Sequence, residues 1–169
     1  MRYFVAAWPD QATRDALQEL LAELRPQVPN GRPMQPRNLH LTLAFIGEVP
    51  PVAAEQLSRS VDKLSIAAFD WSMNELGWFS RARVAWAGGA TNAALATSVA
   101  AVRSELDDLA VAYDSKPFVA HVTLFRDVGS FEGSGLLSQP LPWRTAQVAL
   151  YAAARDERGS VYQRVGTTT

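Results

Sequence analysis

The sequence has no cysteine, and only two histidines, among 169 residues. Without cysteine there is no disulfide framework, no thiolate metal site and no cysteine nucleophile, which fits a reducing compartment. Long apolar runs are missing too. After Arg2 the apolar stretch Tyr3 to Trp8 stops at Pro9-Asp10, far short of the roughly 20 residues of a bilayer span and without the form of a secretory signal. A cytoplasmic protein with no membrane segment is expected. Charge of one sign is also lacking: 16 basic and 17 acidic residues leave a net charge of -1. That argues against coating long nucleic acid by bulk electrostatics, and leaves room for a small or terminal anion. All the basic residues except Lys63 and Lys116 are arginine. We read this mainly as compositional bias, although the arginine fork suits phosphate.

With 48% hydrophobic and 20% charged residues, the chain can bury a core as one domain over 1–169. Tyr3 to Trp8 reads as a buried strand, and Leu17, Leu20, Leu21 and Leu24 as one face of a helix. Four prolines and a glycine make Pro26 to Pro36 a loop. A strand over His40 to Ile46 and a helix carrying Val52, Leu57, Val61 and Leu64 follow. Strands are expected at Asp70 to Leu76 and Arg83 to Ala87, then a helix through Leu95, Val99, Val102, Leu106 and Leu109. His121 to Phe125, Ala146 to Ala152 and Val161 to Val165 complete the strands. Strands and helices do not alternate steadily, so the fold class is α+β with mostly antiparallel sheet rather than doubly wound.

One short repeat stands out. His40-Leu41-Thr42-Leu43 and His121-Val122-Thr123-Leu124 share a form and lie about half the chain apart. Side chains alternate along a strand, so His40 and Thr42 share one face, as do His121 and Thr123, while the aliphatic residues anchor the other. The two copies use the entire histidine content. Brought together, two imidazoles and two hydroxyls suit metal-free phosphoryl transfer. One neutral ring takes a proton from water, and the other, protonated, gives one to a leaving oxygen. Thr42, Thr123 and Arg126 would hold the phosphate oxygens. By alternation Phe125 shares the face of His121 and could stack on a base, whereas Phe45 belongs to the core.

Three other readings compete. The histidines could be half-buried strand residues bonded to backbone, which would suffice for a single copy but not for two. A zinc or iron site lacks an acidic residue within either motif, the nearest being Glu48 and Asp127. A non-catalytic phosphate-binding module gives the second imidazole no purpose.

The sequence resembles the two-histidine phosphoesterase superfamily, in particular its RNA 2′,3′-cyclic phosphodiesterases, historically called 2′-5′ RNA ligases. The resemblance rests on both His-x-Thr-x motifs. It extends to Arg2-Tyr3-Phe4-Val5-Ala6, Asn38 to Gly47, Arg83-Val84-Ala85-Trp86, Lys116 to Arg126 and Gly159-Ser160-Val161-Tyr162. It implies a bilobal, pseudo-twofold α+β fold with a central cleft, one motif in each lobe. It also implies hydrolysis of RNA 2′,3′-cyclic phosphate ends to 2′-phosphates, with His121 as the base, His40 as the acid and no cofactor or metal. Reverse joining to a 5′-hydroxyl as a 2′-5′ linkage follows from microscopic reversibility. The implied partner is an RNA end, with tRNA fragments as a candidate, or a small cyclic nucleotide, handled by a monomer. Other cyclic phosphates, 2′-5′ oligonucleotides and RNA-end binding without catalysis are the alternatives. Ala120, Phe125 and Met34-Gln35 depart from the family pattern, and these departures bear on the base pocket rather than on the chemistry.

Overall fold

The computed structural model describes residues 1–66, 69–157 and 159–166. The first strand, β1 (Arg2–Pro9), runs into helix α1 (Gln11–Leu24), where the Asp10 carboxylate caps the end by accepting from the Thr13 amide at 2.8 Å. The proline-rich stretch folds as two short 3-10 turns, Arg25–Gln27 and Pro36–Asn38, around a two-residue strand, β2 (Arg32–Pro33). Strand β3 (Leu41–Glu48) and helix α2 (Pro51–Lys63) follow. The next group is β4 (Asp70–Phe79), β5 (Val84–Gly88) and helix α3 (Ala93–Asp108), the last capped by the Asn92 side chain. Strands β6 (His121–Arg126), β7 (Gly135–Asp156) and β8 (Gly159–Arg164) complete the chain.

Every strand pairing among the described residues is antiparallel. The order β1-β3-β6-β5-β4-β7 returns to β1, because β7 pairs with β4 through its first half and with β1 through its second. The sheet therefore closes on itself, with β8 added to β7 and β2 to β6. The expected α+β class and antiparallel sheet agree with this architecture.

The largest departure is β7, which begins at Gly135 although the sequence suggests a strand only from Ala146. Pro140 and Pro142 hide its first half. That half pairs with β4 but not with β1, so it has an open edge where a missing amide proton does no harm.

Alternate residues of β1 bury on opposite faces. Tyr3, Val5 and Ala7 join the main core with Leu17, Leu57, Leu95 and Leu106 from the three helices. Phe4 and Ala6 form a second cluster with Ala149 and Tyr151, with Trp8 and Tyr162 packed against it. The His40 and Arg126 side chains lie against this second face. The β3–β6 seam is the thinnest join in the ring, a single residue pair, Leu41 opposite Val122.

Candidate active site

That single pair aligns the two motifs. In the antiparallel register set by Leu41 and Val122, Thr123 falls opposite His40 and His121 opposite Thr42. Leu41 and Val122 are fully buried on the core side, so the motif alternation positions the histidines and threonines on the other side.

Each imidazole is tied down in the same way. His40 Nδ1 donates to the carbonyl of Asn38 at 2.6 Å, and His121 Nδ1 donates to the carbonyl of Val119 at 2.7 Å. A carbonyl can only accept, so Nδ1 carries the proton and each neutral ring keeps a lone pair on Nε2. His40 Nε2 accepts from the Thr42 hydroxyl at 3.1 Å. Asn38 is itself buried, and its side-chain amide donates to the Ser160 carbonyl at 2.7 Å, linking the turn before β3 to β8.

The surroundings differ. His40 stacks on Trp8 at 4.9 Å between ring centres, with Phe4 tilted at 5.1 Å and the edge of Tyr162 at 5.1 Å. Tyr151 continues the stack beyond Trp8 at 3.9 Å. His121 meets the edges of Phe79 at 5.0 Å and Trp86 at 6.1 Å. The Trp86 ring lies directly over Gly77, where any Cβ would run into it. Burial in this cage pushes the His40 pKa down to about 4, and the charges of Arg126 and His121 add to the effect. Burial, then Arg126, also holds His121 below the usual imidazole value. Both rings are therefore neutral near pH 7 in the free protein.

A cavity of about 530 Å³ opens beside His40, lined by Thr42, Phe45, Arg126 and Tyr162 among others. Arg126 donates to the Tyr162 hydroxyl at 3.5 Å. Arg2, Arg32 and Arg155 also line it, against the carboxylates of Glu48 and Asp127, and Arg32 is ion-paired with Asp127 at 3.1 Å. The cavity thus carries a surplus of positive charge. His121 and Thr123 do not line it. The charge of His121 nevertheless acts on His40. Among the described residues, no three histidine, aspartate or glutamate side chains gather as a metal cluster.

Two expectations are corrected here. Phe125 is fully buried in the core, while Phe45 is 43% exposed and lines the cavity. The cause is a bulge in each motif strand. Ala85 and Trp86 are adjacent on β5 but pair with Phe125 and Thr123, so β6 carries one extra residue, Leu124. Likewise Val5 and Ala6 pair with Ala44 and Thr42, so β3 carries an extra Leu43. Each bulge inverts the alternation beyond it. Leu43 and Ala44, like Leu124 and Phe125, are consecutive core residues. The structural counterparts are therefore Ala44 with Phe125 and Phe45 with Arg126, not the two phenylalanines.

The family described as LigT like Phosphoesterase matches residues 8–86. The RNA 2′,3′-cyclic phosphodiesterase of Escherichia coli is 32% identical over 120 residues, covering 64% of this chain and 68% of the relative. That of Archaeoglobus fulgidus is 31% identical over 129 residues, covering 75% and 72%. The chain belongs to the LigT-like phosphoesterase family. Its fold agrees: a crystal structure of E. coli LigT complexed with 3′-AMP superposes with a TM-score of 0.83 at 26% identity, over 97% of this chain and 94% of that one.

Within this LigT-like frame, sequence reasoning missed Trp8, Phe4, Tyr151 and Tyr162, which cage His40. One signal was available. Phe4 and Trp8 alternate with the core residues of β1, so a second aromatic face was already written into that strand.

Proposed function

We propose that the protein opens 2′,3′-cyclic phosphate ends of RNA to 2′-phosphates by metal-free acid-base catalysis between His40 and His121. The observation that carries this reading is the matched pair of imidazoles. Each has Nδ1 held by a backbone carbonyl two residues upstream, each has a threonine two residues downstream, and the two flank the single β3–β6 pair. The names of the E. coli and A. fulgidus relatives support the substrate class, and the 3′-AMP complex of E. coli LigT supports a nucleotide-sized occupant.

In this mechanism His121 Nε2 takes a proton from water as the water oxygen attacks phosphorus. The bond from phosphorus to the 3′ oxygen breaks, and that oxygen takes a proton from His40 Nε2. The family resemblance supports this division of roles. Each proton transfer is worth about two to four powers of ten in rate. Thr42, Thr123 and Arg126 engage the phosphate oxygens and offset the charge that builds there. Phe45, exposed in the cavity, offers the stacking face for the terminal base that Phe125 cannot.

His40 must acquire the proton that it gives. The cage and the Arg126 charge oppose this in the free protein, and an anionic phosphate against Arg126 removes part of that opposition. Substrate binding thus prepares the acid. With a 5′-hydroxyl in place of water as the attacking group, the same opening of the P–O3′ bond joins the two ends through a 2′-5′ linkage. Action as a cytoplasmic monomer on RNA fragments, those of tRNA included, belongs to the same proposal and rests on the sequence.

The test is phosphorus NMR of a short RNA ending in a 2′,3′-cyclic phosphate, incubated with EDTA-treated protein. Clean conversion to a 2′-phosphomonoester is expected. A 3′-phosphate product, or activity that returns only with added metal, overturns the mechanism. No conversion under either condition moves the function to another cyclic phosphate or to binding alone.

A further inference from the structure

Two arginines on the cavity wall are not used by this chemistry. Arg2, at the start of β1, and Arg155, near the end of β7, both line the cavity that holds His40, Thr42 and Arg126. Neither side chain makes an ion pair or hydrogen bond among the described residues, unlike that of Arg32, which is held by Asp127. Sheet register aligns them. Arg2 lies opposite Ala153 in the β1–β7 pairing, and Arg155 is two residues beyond Ala153 on β7. Opposed residues, and residues two apart, share a face. Both guanidinium groups therefore rise on the face of Phe4 and Tyr151, the face that cages His40. The small side chain of Ala153 lies beside them on the cavity wall.

Their distance from the reacting phosphate is informative. Thr42 pairs with Ala6, and Arg2 lies four residues along β1 from that point. At about 3.3 Å per residue this is roughly 13 Å of strand. A terminal phosphate held by Thr42 and Arg126 lies well back along β1 from the Arg2 backbone. A phosphate further along the same chain can lie beside Arg2. Glu48 stands opposite Arg2 in the β1–β3 register and also lines the cavity, but no ion pair joins them. The local balance stays positive.

We propose that Arg2 and Arg155 grip the internucleotide phosphate on the 5′ side of the cyclic end, so that the protein prefers an RNA chain end to a free cyclic mononucleotide. This rests on the RNA-end reading above and assigns the cavity a direction. The terminal nucleoside lies between Phe45 and Arg126, and the chain leaves past β1 and the end of β7.

The experiment compares adenosine 2′,3′-cyclic phosphate with a trinucleotide ending in the same group, using wild type and the double variant Arg2→Gln/Arg155→Gln. Both residues are exposed, and a thermal melt checks the fold of the variant. The variant is expected to raise KM for the trinucleotide about ten-fold or more, the scale of a lost charge-assisted contact, and to leave the mononucleotide unchanged. Equal losses on both substrates, or no loss on either, overturn the proposal. A wild type that opens neither substrate overturns the RNA-end reading instead. In that event the phosphate grip is decided by fluorescence anisotropy with a labelled trinucleotide 3′-phosphate, competed by adenosine 3′-phosphate. Loss of affinity confined to the trinucleotide supports the grip, and equal or absent loss refutes it.

Discussion

The two motif strands have nearly the same sequence and place their histidines in different environments. His40 is stacked on Trp8 and flanked by Phe4 and Tyr162, beside a cavity rich in arginine. His121 meets only the edges of Phe79 and Trp86 and does not line that cavity. Identical backbone anchoring with unequal aromatic packing is a way to give two equal groups unequal proton affinities. The motif supplies the parts, and the neighbouring strands supply the asymmetry.

Removing either ring is expected to have the largest effect. His40→Ala and His121→Ala should each lower kcat by at least about two powers of ten with the fold retained, read by single-turnover opening of a cyclic phosphate and by circular dichroism. Near-normal turnover in one of them would make the pair unequal in function as well as in surroundings.

The bulges sharpen the comparison next. Phe125→Ala removes a fully buried ring and should cost about 3–5 kcal/mol in a urea melt. Phe45→Ala removes an exposed one, so it should leave the melt nearly unchanged and weaken nucleotide binding. The reverse outcome would mean that the strand alternation continues unbroken.

The third test uses pH. Folding lowers the His40 pKa from 6.5 to about 4. Between those values the unfolded chain binds a proton that the folded protein does not, so stability falls as pH drops through this window and levels off below it. The loss is roughly 3 kcal/mol for His40, and His121, lowered as well, adds to it in the same direction. His40→Gln should flatten the dependence more than His121→Gln does, in urea melts taken from pH 7 to pH 4. Equal flattening would abolish the difference between the two environments.

Thr42→Val should have the smallest effect, about ten-fold or less in kcat/KM, because it removes one hydroxyl bonded to His40 Nε2. A shift of the pH optimum with it would show that the hydroxyl also sets the proton affinity of the ring.

Much of this was legible in the sequence. Helical spacing located all three helices, and the His-x-Thr alternation correctly separated polar from buried residues as far as Leu43 and Leu124. Beyond those positions it failed, because a bulge is decided by the partner strand. Nothing in Thr-Leu-Ala-Phe or Thr-Leu-Phe-Arg announces the extra residue. The cage around His40 was hidden for a similar reason: Phe4, Trp8, Tyr151 and Tyr162 come from three strands that only the closed sheet brings together. The first half of β7 was concealed by prolines that an open edge tolerates.

The seam between β3 and β6 has a mechanical consequence. Elsewhere around the ring, neighbouring strands are joined by four to eight residue pairs, but here one rung carries the join. The two imidazoles stand on either side of the join with the fewest backbone pairs in the closed loop of strands. On the proposed mechanism, the spacing of the two reacting rings is therefore set across the join with the fewest backbone pairs, where a small adjustment to an incoming phosphate meets the least resistance, with Leu41 and Val122 held in the core behind it.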